Sequence, residues 1–409
     1  MREMKDSELD TIGIVPTDWT MIRLKYLCKI QTGNEDTQNA NPDGQYPFYV
    51  RSPIVEHCDR YTFDGEGILV AGDGAGAGRI FHHVYGKYAV HQRVYRLSDF
   101  KYNSDFIHYY LSNLFPHEMD KGSAQSTVPS MRLPMLLNFP FYLPDIEEGK
   151  KIVAFLDSKS AEIDALTVDI QKQIDTLEQY KKSVITEAVT RGLNPDIEMK
   201  DSGVEWCPRI PSHWHYINPK GLFSLRNDRA FSGDRQLTAS QEHGIVYQDE
   251  YMEMTGNKVV TVEKDFSILK HVEPNDFVIS MRSFQGGLEY SEKKGCISSA
   301  YVMLIPNKRY VYAPFYRWFF KSTKYINALQ STSNLVRDGQ AMRYSNFVKV
   351  PLFIIPMKEQ QKIAEYLNSK ITSLDAILTQ KKEQLKILAD YKKSIIYEYV
   401  TGKKEVPVE

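Results

Sequence analysis

The sequence predicts an α+β protein in which two mixed α/β domains are joined by two long antiparallel helices. Two stretches of more than 40 residues, Lys150–Arg191 and Lys358–Thr401, contain neither glycine nor proline and show helical periodicity. Each stretch follows a segment of about 150 residues that is rich in glycine, proline, aromatic residues and β-branched runs. The two halves share motifs in the same order, so the chain is a duplication of one unit.

The duplication is visible as three pairs of matching segments. These are MKDS at 4–7 and 199–202, KKIVAFLDSK at 150–159 with QKIAEYLNSK at 361–370, and YKKSVITEAVT at 180–190 with YKKSIIYEYVT at 391–401. A P-x-x-W segment also recurs, because Pro16 and Trp19 match Pro211 and Trp214. The early matches are 195 residues apart and the later ones 211, so the halves match in step on both sides of a variable segment.

Each repeat begins with a variable domain, ends that domain in an apolar segment bounded by proline, and continues as a helix. Pro144 and Pro356 mark the predicted helix starts, and Gly192 and Gly402 follow the predicted ends, where these residue types are favoured. The predicted boundaries are 1–146 for the first domain, 147–192 for the first spacer helix, 193–356 for the second domain, 357–402 for the second spacer helix and 403–409 for a tail.

Apolar residues at steps of three and four form a stripe along each predicted helix. The residues predicted to pack are Ile163, Leu166, Ile170, Ile174, Leu177, Tyr180 and Val184 in the first helix and Leu374, Ile377, Leu378, Leu385, Leu388, Tyr391 and Ile395 in the second. A helix of about 40 residues is about 60 Å long and needs a partner, for which its own copy is available. Because one domain connects the two helices, we expect antiparallel pairing, with the domains at opposite ends of a rod and related by an approximate two-fold axis. Gln173 and Gln384 fall at core-like positions, where polar residues would fix the register.

Composition limits the functional classes. Basic and acidic residues number 51 and 52, so net charge alone does not mark a nucleic-acid-binding protein, although binding depends on where charges lie. The start MREMKDSELD is too polar for a signal peptide, and no apolar run approaches the ~18 residues of a membrane span. The four cysteines form no CxxC pair. We therefore expect a cytoplasmic protein without membrane association or a zinc ribbon.

The strongest signal for a cofactor site is the glycine-rich segment Gly72–Gly78. It follows a strand-like run, and G-x-G-x-x-A is a permitted variant of the dinucleotide-binding pattern. A phosphate cradle requires a helix to begin there, whereas residues 79–85 have the pattern of another strand. We interpret the segment as a loop between strands, whose glycines would also let backbone approach a DNA phosphate.

Other catalytic and metal-binding patterns are absent from the sequence. The groups His82-His83, His213-x-His215 and His57-Cys58 lack the four-ligand spacing of structural zinc sites. There is no N/D-P-P-Y/F tetrapeptide of DNA methyltransferases and no G-x-x-x-x-G-K-S/T phosphate loop. The lysine pairs 181–182 and 392–393 lie near the predicted helix ends, where we interpret them as compensating the helix dipole.

Motifs in both repeats resemble those of the specificity subunits of type I restriction-modification systems, and the resemblance covers nearly the whole chain. The repeat ends are the most specific match, and the first copy is one residue longer than the second. The motifs are PMKEQQKI at 356–363 running into YL at 366–367, its first copy at 144–156, FVIS at 277–280 with FQG at 284–286 and SSAY at 298–301, and ILV at 68–70 followed by GDG at 72–74.

The resemblance implies two target-recognition domains that alternate with two helical spacers, in a chain that neither cuts nor methylates DNA. It implies double-stranded DNA as the ligand, and methyltransferase and restriction-translocase subunits as partners, with two methyltransferase copies to match the internal two-fold. It implies no cofactor and no metal. Because the two domains are of different subtypes, they should recognise different half-sites of a bipartite, asymmetric target.

Base recognition needs arginine, lysine, asparagine, glutamine or hydroxyl side chains on exposed loops. Each candidate also has a simpler interpretation as solvated surface, and phosphate contacts are more frequent than base contacts. The candidates in the first domain are Arg51, Arg79, His91, Gln92, Arg93, Lys121, Gln125, Ser126, Thr127 and Arg132. Those in the second domain are Arg226, Arg229, Arg282, Ser283, Gln285, Arg337, Gln340 and Arg343.

Two other functions are consistent with parts of the sequence. A DNA methyltransferase would use Gly72–Gly78 as its own cofactor pocket and would bind S-adenosylmethionine. A coiled-coil scaffold would use its domains as protein adaptors and would show no sequence preference on DNA. The recognition-domain motifs favour the specificity subunit over both.

Overall fold

The computed structural model describes residues 2–122, 129–262, 266–280, 283–332 and 343–407. The chain forms two compact units, each considered by itself. The first consists of Met1–Gln171 and Glu383–Glu409, and the second consists of Lys172–Lys382. The α+β class and the two long helices predicted from the sequence are confirmed. Each unit contains β-sheets, short helices and part of each long helix.

The first unit is built on two four-stranded sheets. Its strands are β1 (Met4–Asp6), β2 (Ile14–Pro16), β3 (Thr20–Arg23), β4 (Lys29–Thr32), β5 (Tyr46–Tyr49), β6 (Glu56–Cys58), β7 (Phe63–Asp64), β8 (Gly67–Ala71), β9 (Phe81–Val84), β10 (Lys87–Val90), β11 (Val94–Ser98) and β12 (Pro140–Leu143). The sheet orders are β4-β11-β8-β9 and β6-β5-β10-β7, and the β5–β10 pair is parallel. All five residues of β8 are buried, as its unbroken apolar sequence predicts. Its helices are α1 (Ser104–Gly122), α2 (Leu133–Leu137) and the first part of α3 (Ile146–Arg191).

The second unit repeats this frame with different insertions. Its strands are β13 (Met199–Asp201), β14 (Arg209–Pro211), β15 (His215–Ile217), β16 (Phe223–Arg226), β17 (Leu237–Ser240), β18 (Gly244–Tyr247), β19 (Lys270–Val272), β20 (Phe277–Ile279), β21 (Glu289–Tyr290), β22 (Gly295–Ile297), β23 (Val302–Pro306) and β24 (Leu352–Ile354). Its helices are α4 (Gln248–Thr255), α5 (Ser283–Gly286), α6 (Ala313–Phe319), α7 (Thr323–Ser331), α8 (Tyr344–Phe347) and the first part of α9 (Met357–Val400).

The duplication extends to strand pairing. The hairpin β1–β2 pairs Met4 with Pro16, and β13–β14 pairs Met199 with Pro211 in the same register. The sheet β4-β11-β8-β9 corresponds to β16-β23-β20-β21, and the pair β12–β3 corresponds to β24–β15. The first unit adds the sheet that contains β5 and β10, whereas the second adds the pairs β17–β18 and β19–β22. The common frame therefore carries different additional strands in the two units.

The long helices run antiparallel in both units. In the first unit the Phe155 ring of α3 lies 4.5 Å from the Tyr399 ring of α9, and Ile163 and Ile395 share one buried core. In the second unit, residues near the end of α3 share a core with residues near the start of α9. Gly192 follows α3 at a φ of +76°, a left-handed conformation that ends helices and favours glycine.

The predicted stripe is only partly buried, because it is wider than the contact it makes. Its buried members are Ile163, Ile174, Val184, Leu374, Leu378 and Ile395. Ile170, Leu177, Leu385 and Leu388 are half-buried. Leu166, Tyr180, Ile377 and Tyr391 are 40–52% exposed and lie at the flank of the contact, which corrects the prediction that they pack in the core. Gln173 and Gln384 are exposed, so the prediction of a polar core layer is wrong.

Candidate nucleic-acid interface

In the first unit, one carboxylate holds two of the predicted arginines. Arg51 Nη1 donates to Asp73 Oδ1 at 2.8 Å, and Arg93 Nη1 donates to Asp73 Oδ2 at 2.6 Å. The Asp73 side chain is 13% exposed, against 40% for Arg51 and 63% for Arg93. Burial raises the pKa of the Asp73 carboxyl, but the hydrogen bonds from Arg51 and Arg93 outweigh burial and hold that pKa below its usual value. We call Arg51 and Arg93 the arginine pair.

The loop that carries Asp73 is fixed by backbone hydrogen bonds. Gly72 N donates to Arg93 O at 2.9 Å, and Met131 N donates to Gly72 O at 2.8 Å. A Cβ atom at position 72 would lie 2.8 Å from Arg93 O, so this approach requires glycine. The loop connects β8 to β9, which pair as antiparallel neighbours, whereas a nucleotide cradle requires the loop to open a helix. The interpretation of Gly72–Gly78 as a loop between strands is confirmed.

His91 and Gln92 immediately precede Arg93, and His91 supports its backbone. His91 is 3% exposed, and its Nδ1 accepts a hydrogen bond from Arg93 N at 3.0 Å. Burial, followed by the charge of Arg51, lowers the pKa of His91 below its usual value. Gln92 Nε2 donates to Asp36 Oδ2 at 2.8 Å. The sequence predicts His91 as a contact on the surface. The structure instead buries this imidazole, which acts as a structural support.

A second carboxylate, this one buried, orients an arginine that sequence reasoning missed. Glu35 accepts hydrogen bonds from Arg60 Nε at 2.9 Å, Arg60 Nη2 at 2.8 Å and Asn39 Nδ2 at 2.7 Å. Glu35 is almost fully buried, whereas Arg60 is 69% exposed. Glu35 lies beside the arginine pair because it forms a parallel β-bridge with His91. No local motif signals this bridge, so Arg60 could not be selected from its sequence neighbours.

The remaining candidates of the first unit lie elsewhere or outside the described residues. Arg79 forms an exposed ion pair with Asp120 of α1, and the exposed Arg132 immediately precedes α2. Gln125, Ser126 and Thr127 lie outside the described residues, as does the side chain of Lys121. The structure thus brings together Arg51, His91, Gln92 and Arg93 and places Arg79 in a separate ion pair.

Two candidates of the second unit are structural. Arg226 donates through Nε and Nη2 to the buried carboxylate of Asp276, at 2.6 and 3.1 Å. Ser283 is 1% exposed, and its Oγ accepts a hydrogen bond from Ser280 N at 2.8 Å. Ser283 does not face solvent, and the Arg226 side chain is 14% exposed and held by Asp276. The sequence does not indicate this acidic partner, because it lies 50 residues further along the chain.

Three other candidates of the second unit are exposed: Arg229, Gln285 and Arg343. Arg229 Nη1 donates to Ile268 O at 3.1 Å, which fixes its position beside β19. The last three candidates, Arg282, Arg337 and Gln340, lie outside the described residues.

The second unit also has a strap segment, residues 256–262, that sequence reasoning did not select. Gln236 attaches it through two hydrogen bonds to the backbone of Val262. Gln236 Nε2 donates to Val262 O at 2.8 Å, and Val262 N donates to Gln236 Oε1 at 2.9 Å. Val260 at its tip is 90% exposed. A cavity of about 640 Å³ lies under the strap segment, with amide and hydroxyl side chains in its wall. These groups offer donors and acceptors suited to base edges, and an exposed valine suits a thymine methyl group.

Two further observations concern the described part of the chain. There, no three histidine, cysteine, aspartate or glutamate side chains converge in an arrangement that could hold a metal ion. None of the helices formed by the described residues has the length and apolarity of a membrane span.

The model of the type I restriction modification DNA specificity domain matches residues 16–176 and again 211–387. The specificity subunit of the type I restriction enzyme EcoDI of Escherichia coli is 24% identical over 216 residues, covering 53% of this chain and 48% of that protein. The putative specificity subunit S.HindORF215P of Haemophilus influenzae is 24% identical over 357 residues, covering 82% of each chain. The chain thus spans about half the length of the Escherichia coli relative.

The overall fold has a counterpart among solved structures. A chain from work on complex assembly and conformational transition of the type I R-M system aligns with a TM-score of 0.67 at 14% identity. The alignment covers 95% of this chain and 99% of that one, and at this identity it concerns the fold alone. The domain model matches the chain twice, and the fold is duplicated in the same way. Together these findings define a duplicated specificity protein. The chain belongs to the type I restriction-modification DNA specificity family, which confirms the resemblance seen in its motifs.

Proposed function

We propose that this chain is the DNA-recognition subunit of a type I restriction-modification complex and that each domain recognises one half-site of a bipartite, asymmetric target. The observation that carries this proposal is the duplicated frame with different additional strands in its two units. A shared frame suits a common mode of docking on duplex DNA, whereas different insertions suit different sequences. The target is chromosomal DNA, so the proposed function is cytoplasmic.

The surface chemistry of the first domain supports DNA recognition. Arg51, Arg60 and Arg93 are all at least 40% exposed, and each is oriented by a carboxylate that is buried (Glu35) or partly buried (Asp73). Oriented arginine side chains are the most frequent base readers in the major groove. We propose that the exposed candidates Gln92, Arg132, Arg229, Gln285 and Arg343 contribute positioning contacts, which are mostly to phosphates.

The long helices support a scaffolding role. Exposed apolar residues recur at equivalent positions, because Leu166 matches Ile377 and Tyr180 matches Tyr391 at the same offset of 211 residues. Each unit thus presents one such aliphatic residue and one such tyrosine, Leu166 and Tyr391 in the first unit and Ile377 and Tyr180 in the second. We propose that these two surfaces bind two copies of a methyltransferase subunit and that restriction subunits join through the resulting complex. In this proposal the chain itself is not catalytic.

A domain exchange tests the proposed function. Residues 1–140 are replaced by the equivalent domain of a relative, and methylated sites are mapped across the genome in cells with the native gene, the exchanged gene or no gene. We expect one half-site to change and the other to remain. If both half-sites change together, the one-domain-per-half-site proposal is wrong.

Purified components distinguish this role from that of an enzyme. We expect the full chain alone to transfer no methyl groups and to show no saturable binding of S-adenosylmethionine, with methylation restored by a separate methyltransferase subunit. Methyl transfer by the single chain would instead establish a methyltransferase. Equal affinity for all duplex sequences in the assembled complex would establish a scaffold without sequence recognition.

A further inference from the structure

Most N–H groups of the arginine pair are not hydrogen-bonded within the described residues. Each guanidinium carries five N–H groups, and one of these is bonded to Asp73 in Arg51 and in Arg93. Within the described residues, no other acceptor is hydrogen-bonded to either guanidinium. Both side chains are substantially exposed, so each presents a free planar edge to solvent. Such an edge matches two adjacent acceptors, as on the O6 and N7 atoms of guanine.

The position of this pair is fixed through its shared carboxylate. The hydrogen bond from Gly72 N to Arg93 O joins the backbone next to Asp73 to the backbone of one of the two arginines. Asp73 also forms an antiparallel β-bridge with Ser130, which attaches the loop on its other side. Two arginine side chains, each with several rotatable bonds, are thus restrained by one immobile anion. Restraint of this kind lowers the entropy lost on binding and favours one geometry of contact.

The local charge balance favours base contacts over phosphate contacts. The three arginines Arg51, Arg60 and Arg93 are matched by Asp73 and Glu35, and the nearby Asp36 accepts a hydrogen bond from Gln92. Phosphate binding depends on net positive charge and on counterion release. A patch in which acidic groups balance the arginines contributes directed N–H groups rather than net charge. Its chemistry therefore suits sequence discrimination.

We propose that Arg51 and Arg93 recognise guanine at one or two neighbouring positions of the first half-site, and that Asp73 is the positioning residue that orients both. This inference rests on the proposed function, because it assigns residues to a half-site. Asp73 itself makes no contact with DNA in this mechanism. Its effect is exerted through the two guanidinium groups.

The test compares variants of the full chain in cells that contain the partner subunits, with methylated sites mapped across the genome. The variants are Asp73→Asn, Arg93→Gln and Arg51→Gln, and the matched control is Asp120→Asn, which removes the carboxylate of the exposed Arg79 ion pair. Asp73→Asn keeps the shape of the side chain and one acceptor oxygen but loses the charge that holds both arginines. Thermal unfolding and co-purification with the methyltransferase subunit verify that each variant is folded and assembled.

We expect Asp73→Asn and both arginine variants to relax the same guanine positions. Discrimination against other bases there should fall by about 10-fold, while the second half-site and the Asp120→Asn motif stay unchanged. The affinity of the purified complexes for duplex DNA is measured as well. If the motif is unchanged in all variants, and each arginine variant lowers the affinity equally for every sequence and lowers the slope of log affinity against log salt concentration by about 1, the arginines bind phosphates and the inference is overturned. If only the arginine variants relax the motif, Asp73 is not the positioning residue.

These outcomes are separable from failure of the proposed function. A native chain whose complex methylates without any sequence motif contradicts the proposed function itself. A native motif with two half-sites that no variant alters contradicts only the assignment to the arginine pair. If Asp73→Asn does not fold, the exposed Arg51→Gln and Arg93→Gln variants decide, since they must relax the same positions.

Discussion

Lys392 places its Nζ atom 2.7 Å from both carboxylate oxygens of Asp164, which connects α9 to α3 within the first unit. The equivalent residues make the same contact in the second unit, where Lys181 Nζ lies 2.5 Å from Asp375 Oδ1. Both partners are displaced by the same 211 residues that separate the sequence repeats. The interpretation of these lysines as dipole compensators is therefore corrected, since Lys181 and Lys392 form ion pairs between the helices.

The first prediction concerns this ion pair. Lys392→Glu or Asp164→Lys alone should lower the free energy of unfolding by about 0.5–1 kcal/mol, because each places like charges side by side on a partly exposed surface. The double exchange should recover most of the loss. Urea denaturation of the full chain measures all three, and Lys393→Glu is the control at the neighbouring position. If the loss of unfolding free energy in the double variant equals the sum of the losses in the two single variants, the two residues do not interact.

A second relationship repeated in both units joins the P-x-x-W segment to the start of a long helix. Trp214 Nε1 donates to Glu359 Oε2 at 3.1 Å, and Trp19 Nε1 donates to Glu148 Oε2 at 3.3 Å. Both indole rings are buried. Glu359 also lies 2.8 Å from His213 Nε2, so its carboxylate keeps one partner when the tryptophan is changed.

The second prediction follows from that contact. Trp214→Phe should destabilise the second unit by about 1–2 kcal/mol through loss of volume and one charge-assisted hydrogen bond. Trp214→Ala should cost about 3–5 kcal/mol. Thermal and urea unfolding measure the loss. Trp318→Phe is the matched control, because its indole bonds Asn368 in a more exposed setting and should matter less. An equal effect of the two phenylalanine variants would argue against a structural role for the Trp214–Glu359 contact.

The sequence predicts the repeated frame well because local patterns encode it. Long stretches without glycine or proline, proline before their starts and the P-x-x-W segments all appear as short-range signals, and the structure places both long helices over these stretches. The sequence also separates strand from helix after Gly72–Gly78, because residues 79–85 are rich in the β-branched and aromatic side chains favoured in strands.

The candidate site is less predictable because it depends on pairing between distant segments. Asp73 meets Arg93 through the register of β8 on β11, which pairs Ala71 with Val94. That register is not specified by any motif. The same limit applies to Arg226, whose sequence neighbours do not indicate its ion pair with the buried Asp276. The sequence also does not indicate which apolar residues of the long helices are exposed. Tyr180 follows the apolar spacing but lies at the flank of the contact.

The third prediction concerns acid stability of the first unit. Burial, followed by the charges of His83 and His82, lowers the pKa of His108 from its usual value of 6.5 to about 4. Among the described atoms, His108 Nδ1 has no hydrogen-bond partner. Since the unfolded chain binds this proton near pH 6.5 and the folded chain does not until about pH 4, stability is lost as pH falls through that window. The loss should reach about 1–3 kcal/mol.

His108→Leu tests this assignment. The variant should show a shallower decline of unfolding free energy between pH 6.5 and pH 4, measured by urea denaturation across that range. His57→Leu is the control, because His57 is exposed. If His108→Leu declines as steeply as the native chain, another group is responsible for the acid dependence.

The fourth prediction concerns helix length in the proposed function. If the helices set the distance between recognition domains, the half-site centres should lie about 10–14 base pairs apart, since both domains must reach major grooves on one face and a DNA turn is about 34–36 Å. Removing seven residues from each helix, Ile170–Thr176 and its counterpart Lys381–Ile387, shortens both by about 10 Å. The preferred gap should then fall by about two to three base pairs, while both half-sites persist.

Methylation mapping measures the gap, and a deletion confined to Ile170–Thr176 serves as the control. That single deletion should destabilise the chain, because it shifts the antiparallel register of Asp164 with Lys392 relative to that of Lys181 with Asp375. The paired deletion preserves both ion pairs, since it removes equivalent residues between them. A paired-deletion variant that folds, binds its partner subunits and still prefers the original gap would show that helix length does not determine the spacing of the target.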